Sequence, residues 1–486
     1  MLYIIISFHF NKFYTLCLEA VKLTILHLNF FTMNKNLFLF LLQVIIFSKS
    51  FCQKIKTAAT ENKNINGHPA WIMQGNIYEV NVRQYTTEGT FTAFAKHLDR
   101  LKKMGVQTIW FMPINPISKV DRKGSLGSYY AVADFTAINP EFGTLKEFEQ
   151  VVKDIHAKGM KVIIDWLPNH TGADNKWLTE HPDFFVKDST GKPTYMADWN
   201  DTRLLDYKNM VMQDSMIAAM KYWITATNID GFRCDVAWNV PGSFWKKCIP
   251  QLRQIKNVFM LAEGDNAYLP QNGFDAVYPW TMFHKMVQVA KGERPAFALD
   301  SINSVNDKLY PGNTLQMYFT SNHDENSWNK ADYGVFPGTV HAPFAVFTQT
   351  MAGSVPLIYS GQEEPVLRPI QFFDKDPITF KQFKRAGFYK KLLNLRKRNA
   401  ALSADASFRK VIVGDDKAVY AFVREKGGKK IFVILNLSEN SQVITVKDKT
   451  LAGNPYNVFM GVKEPVSNKN FNIEPWGYVV YEYLGK

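Results

Sequence analysis

Two carboxylic acids and an arginine, each placed at the end of an apolar run, are the residues of this sequence best equipped for chemistry. Asp235 stands two positions after Arg233 in GFRCDV, and Glu263 closes the run FMLAE. On an extended segment, residues two apart project to one side. The Arg233 guanidinium can therefore hold the Asp235 carboxyl ionised through charge-assisted hydrogen bonds. Glu263 follows four apolar residues, and a partly desolvated carboxyl keeps its proton to higher pH. An ionised carboxylate paired with a protonated carboxyl can open an acetal, since one attacks the carbon while the other protonates the leaving oxygen.

Other residues fit around that pair. Asp324 follows His323 in FTSNHDEN, and His170 ends VIIDWLPNH; all three can bind the hydroxyls of a ring held between the acids. Tyr130, in SLGSYYAVADF, offers a flat apolar face of the kind on which sugars stack. Asp165, near a strand end, is placed to orient Arg233 rather than to react. Taken singly, each acid reads equally well as an ion pair lining a barrel mouth, and a lone histidine as a satisfied core residue. Their joint occurrence favours the chemical reading.

Each motif begins as an apolar, β-type run and turns polar at its C-terminal end. Strands are expected at 77–82, 106–113, 161–165, 229–235, 259–263, 276–278, 315–320 and 356–359. Helices are expected at 91–104, 144–157, 210–226, 244–255, 340–351 and 380–399. Eight strands interleaved with helices predict an α/β fold, a closed (β/α)8 barrel over 68–400 whose C-terminal face carries the chemistry. The interval after His170 is far longer than a βα loop and marks an inserted domain at about 171–208. From 401 to 486 the pattern changes to short alternating runs, at 418–424, 430–437 and 477–483, which predict an antiparallel β-sandwich domain.

The chain has 486 residues, 46% of them hydrophobic and 21% charged, a globular composition. Its formal net charge is +13, but the basic residues are scattered, so a nucleic-acid partner is not expected. Residues 1–52 read as a leader plus signal peptide. Met33 is the preferred start, Lys35 opens a short polar region, and the apolar run 37–47 is shorter than the roughly 18 residues of a membrane span. Cleavage between Cys52 and Gln53 predicts export to the periplasm or beyond, with no membrane association afterwards. Lys49 and Phe51 are poor neighbours for lipidation at Cys52. Residues 53–67 read as a linker, and Cys234 and Cys248 as buried packing rather than a disulfide.

These motifs resemble those of the α-amylase family, glycoside hydrolase family 13, from about Asn76 to the C-terminus. Asp165, Asn169 and His170 match the family's third-strand motif. Gly231, Arg233 and Asp235 match the fourth, Glu263 the fifth, and His323 with Asp324 the seventh; TIWFMPINPI, INPEFGT and VPLIYSGQEE are similar to supporting segments. The resemblance implies retaining chemistry at α-glucosidic bonds, with Asp235 as nucleophile, Glu263 as acid/base and Asp324 as transition-state stabiliser. It also implies that the insertion is domain B and the C-terminal region domain C. The expected substrate is an α-1,4-linked malto-oligosaccharide or starch. Alternatives are a transglycosylase or a sucrose- or trehalose-acting enzyme of the same family, and a non-catalytic glucan-binding barrel.

Two departures from the family pattern stand out. Trp238 and Asn239 replace the Lys-His that many amylases carry, so Trp238 is expected to stack the leaving-group sugar. Leu204, in TRLLDY, replaces an acidic calcium ligand, leaving Asn169 and Asn239 as neutral donors and Asp206 two residues displaced. No cofactor is therefore expected, the family's calcium ion being the alternative.

Overall fold

The computed structural model describes residues 63–466 and 470–483. The leader, Met33, Cys52 and most of the 53–67 segment lie outside them. Eight parallel strands form the central sheet: β1 (Ile77–Val80), β2 (Thr108–Phe111), β3 (Lys161–Trp166), β4 (Gly231–Cys234), β5 (Phe259–Ala262), β6 (Ala276–Val277), β7 (Leu315–Gln316) and β8 (Leu357–Tyr359). Neighbours in the chain are neighbours in the sheet, and β8 returns to β1 with Leu357 opposite Ile77. The ring closes between β7 and β8. Gln316 N–H donates to Gly353 O at 2.9 Å, and Val355 and Leu357 N–H donate to Gln316 O and Tyr318 O, each at 2.8 Å.

The strands are apolar throughout because both faces are covered; every residue of β1, β2, β4 and β5 is buried. Where β4 presses on β5 only glycine fits, since a Cβ at Gly231 would stand 2.0 Å from Phe259 O. The covering helices follow their sequence signals. Thr144 and Glu147 form a capping box at the start of the helix Leu145–Ala157, which turns Phe148, Val151, Val152 and Ile155 inward.

Several expectations need correction. The helix read at 91–104 is two, Phe91–Ala95 and Leu98–Met104, and the break sets Phe91, Phe94, Leu98 and Leu101 all into the core. The helix read from 380 begins at Ala386. Before it, the N–H groups of Lys381, Gln382 and Phe383 are taken by the Glu364 carboxylate, and Phe383 has φ 49. The segment read as a linker already contains structure at its end, where Asn64–Ile65 pairs with His68–Pro69. Two helices, Trp280–Ala290 and Ala298–Leu309, were not anticipated.

Between β3 and the helix Met210–Thr227, His170–Gly172 pairs antiparallel with Thr202–Leu204 and the short helix Trp177–Glu180 lies between them. The C-terminal region has two antiparallel sheets. One comprises β9 (Ser407–Lys410), β10 (Val419–Lys426), β11 (Lys429–Asn436), β13 (Tyr456–Asn457), β14 (Val462–Lys463) and β16 (Tyr478–Tyr483). The other pairs β12 (Gln442–Thr445) with β15 (Asn470–Ile473). Val423, Ile434, Ile444 and Ile473 fill the space between them.

The larger sheet shares its other face with the barrel. Tyr420, Phe422, Val433 and Val480 belong to the same apolar core as Ile77, Trp110, Phe344 and Phe347. Polar ties cross the same junction. The fully buried Arg424 of β10 donates to Thr350 O at 2.6 Å and to Ser403 O at 2.8 Å, and Asn399 donates to Glu482 of β16 at 2.9 Å. Cys234 and Cys248 are buried free thiols. No helix among the described residues is long and apolar enough to cross a membrane.

Candidate active site

Arg233 organises the C-terminal end of the barrel. It lies on β4 opposite Asp165 of β3 and is fully buried. Its Nη1 donates to Asp165 Oδ1 at 2.9 Å and to Asp235 Oδ1 at 2.7 Å, and its Nε to the Tyr278 hydroxyl at 3.2 Å. Nη2 stands 3.0 Å from Glu263 Oε1, an ion pair without hydrogen-bond alignment. Trp110, Tyr130 and Tyr278 face the guanidinium at 5.4 to 5.7 Å, adding cation–π attraction. One buried cation is thus shared by three carboxyls.

The turn after β4 ties the two central acids together. Val236 adopts φ 45, a conformation a β-branched residue keeps only under constraint. Its N–H donates to Glu263 Oε2 at 2.7 Å. Burial, with repulsion from Asp235 and Asp324, pushes the Glu263 carboxyl up to about 7 against the pull of Arg233. Burial also lifts Asp235, and there Arg233 opposes it through an aligned contact. Of the two, Glu263 is the acid suited to keep a proton and Asp235 the one suited to stay ionised.

A second network flanks them. His323 places Nδ1 2.5 Å from Glu79 Oε1 and Nε2 2.7 Å from the Tyr130 hydroxyl and 3.2 Å from Asp324 Oδ2. Burial alone would neutralise this imidazole, but Asp324 and Glu79 raise it well above its ordinary value, so it is cationic at neutral pH. Burial likewise lifts Asp324, and His323 outweighs it, holding the carboxyl below the usual range. Tyr130 donates to Asp165 Oδ2 at 3.0 Å and lies near-parallel to His323 and Phe372. Burial lowers His170 to about 4, and this neutral ring donates from Nε2 to Tyr130 O at 3.1 Å.

Asp235, Glu263, His323, Asp324, Tyr130 and His170 all line one cavity of about 600 Å³. Trp238 does not. It is 44% exposed on the turn Ala237–Asn239, packed over Gly264 beside Glu263, where a Cβ on the glycine would come within 3.0 Å. Sequence reasoning also missed Glu79, whose Oε2 is buried without a partner. A lone acid two residues from Ile77 in an apolar barrel strand was the signal available.

The residues where the family's calcium would sit do not fit that ion. Asn169 Oδ1 already accepts from Asn239 Nδ2 at 2.8 Å, Asp206 Oδ1 accepts from Lys208 N–H at 2.9 Å, and Leu204 supplies no side-chain oxygen. Among the described residues no group of three or more His, Cys, Asp or Glu could hold a metal ion.

Comparison with known proteins agrees with this geometry. The model of the α-amylase catalytic domain matches residues 45–203, and that of the maltogenic amylase C-terminal domain matches 409–480. The α-amylase MalA of Haloarcula japonica is 27% identical over 77% of this chain, which spans 57% of that protein's length. Among solved structures, the maltogenic α-amylase AmyB of Thermotoga neapolitana superposes with a TM-score of 0.78 at 26% identity. It is covered in full by 86% of this chain. An α-amylase of Lactobacillus plantarum gives 0.77 at 28% identity, covered in full by 85% of this chain. Matched over 45–203 and 409–480 by models of these two domains, and over about three quarters of its length by α-amylase relatives, the chain is similar to the α-amylase family in both sequence and fold.

Proposed function

We propose that the protein hydrolyses α-1,4-glucosidic bonds of malto-oligosaccharides or starch with retention of configuration. The observation that carries this reading is the single buried guanidinium shared by Asp165, Asp235 and Glu263. Glu263 gives its proton to the glycosidic oxygen as a carboxylate oxygen of Asp235 bonds to the anomeric carbon, and the leaving sugar departs with that proton. Water then attacks the same carbon, Glu263 accepts a proton from that water, and the bond to Asp235 breaks to free its carboxylate. Asp324, kept ionised by His323, accepts hydrogen bonds from ring hydroxyls that strengthen as charge develops.

Proton NMR of a maltoheptaose digest tests this. The α anomer of the new reducing end is expected first. Initial release of the β anomer would overturn retention, and an unchanged substrate would overturn the activity. Transfer to a sugar acceptor is the second reading, favoured by the half-exposed Trp238 ring beside Glu263; products longer than the substrate in the same digest would establish it.

The donor set at Asn169, Leu204 and Asn239 supports a further proposal, that the protein works without the family's calcium. Calcium wants six to eight oxygens with carboxylates among them. Overnight chelation is expected to leave the melting temperature and rate unchanged. A fall of several degrees, restored by added calcium, would show that Asp206 or another oxygen has been recruited.

A further inference from the structure

The loops that follow β2 and β8 are joined along the rim of the catalytic cavity. Leu126 N–H donates to Phe373 O at 3.0 Å, and Asp374 Oδ1 accepts from the Ser125 N–H at 2.8 Å and its hydroxyl at 2.5 Å. Gly124, with φ 62, lets the backbones meet, because a Cβ there would stand 2.5 Å from Phe373 Cβ. From beneath, the buried Gln84 holds the β8 loop by donating to Gln371 O and Asp374 O, each at 2.7 Å. On its other flank the β2 loop is tied to the inserted domain. Arg203 pairs with Asp121 at 2.7 Å, and Lys123 Nζ donates to Asp198 O at 2.9 Å. Three loops make one continuous wall.

The order of strands around the barrel fixes which end of a substrate meets that wall. Glu263, which protonates the leaving oxygen, directly follows β5, so the leaving group lies on the β5 side. The β8 and β2 loops stand across the ring from β5, on the side of the sugar that becomes bonded to Asp235. There the aromatic surface runs outward from Tyr130 through Phe372 to Trp328, with centroid separations of 6.1 and 5.4 Å. A cavity of about 600 Å³ has room for a few sugar rings.

We propose that the wall makes the cavity blind on the glycone side, so that a glucan enters by its non-reducing end and short saccharides are released from that end. The proposal rests on the reading of the site as an α-glucan hydrolase. Two 4-nitrophenyl maltoheptaosides, one of them carrying a 4,6-ethylidene acetal on its non-reducing terminal glucose, test it when the products of the full-length protein are separated by chromatography. The blocked substrate is expected to be cleaved more than about tenfold more slowly than the free one. Cleavage of the blocked substrate within that factor overturns the blind end and leaves the hydrolase reading standing, whereas failure to cleave either overturns both.

Opening the wall gives the complementary measurement. In Ser125→Ala/Asp374→Ala the ratio of blocked to free cleavage is expected to rise about tenfold or more, with new products cut from within the chain. An unchanged ratio in the folded variant overturns the assignment of the wall. Should that variant fail to fold, Phe373→Ala carries the same expectation and the same overturning result.

Discussion

Replacing Glu263 by Gln is expected to lower kcat on a natural glucan by about 10²- to 10⁴-fold, the contribution of a positioned general acid. The change keeps the volume of the side chain and an oxygen to accept the Val236 N–H at 2.7 Å, so the melting temperature should hold. What is lost is the proton. A glucosyl fluoride, whose leaving group needs none, should therefore regain most of the first step in the variant. The pH profile gives an independent readout. With the Glu263 carboxyl pushed up to about 7, the acid form is present below that pH, so the wild-type rate should fall as pH rises through it. This alkaline limb should vanish in Glu263→Gln. If it persists, or if the variant stays active on maltoheptaose, another group supplies the proton.

Arg233→Met should have the largest effect on stability, about 3–5 kcal/mol, together with loss of activity. Removing the guanidinium leaves Asp165, Asp235 and Glu263 buried with no shared cation. The sign of the pH dependence follows. Burial already raises all three carboxyls against the pull of Arg233, and without it their folded-state values rise further above those of the unfolded chain. The folded variant then binds more protons than the unfolded one, so its stability falls as pH rises. Urea unfolding at pH 5 and pH 8 should show the larger deficit at pH 8. An equal deficit at both, or one below about 1 kcal/mol, would mean that packing and not charge holds the cluster.

Much of this was legible in the sequence because barrel strands announce themselves twice, by apolar runs and by acids at their ends. β1 to β8 all lie within the intervals read from the sequence, apart from β3, which extends one residue further to Trp166. Several ladders are shorter than read. β7 is a regular strand only at Leu315–Gln316, where a run to 320 was expected, although single hydrogen bonds to its neighbours continue through Met317 and Tyr318. The helix Trp280–Ala290 was missed although Met282, Phe283, Met286 and Val289 recur at helical spacing and are buried. The carboxylates at strand ends were visible since few structural roles explain three of them together. Glu79 was not, because a single acid in a strand carries no spacing to read. Trp238 was read as a contact of the sugar from its place in the family's pattern, where many amylases carry Lys-His, and sequence position does not reveal that the turn Ala237–Asn239 leaves it off the cavity lining.

The junction between barrel and C-terminal sheet bears on inheritance. The sequence pattern changes sharply near 401, as it would between separable modules, yet Arg424, Glu482 and the apolar face of β10 and β11 have their partners in and around the barrel floor. A sheet transplanted onto a foreign barrel would carry a guanidinium and an apolar face shaped for a floor it had left behind. In this lineage the floor and the sheet are therefore expected to change in step, as one heritable block, while the loops at the opposite end of the barrel remain free to diversify.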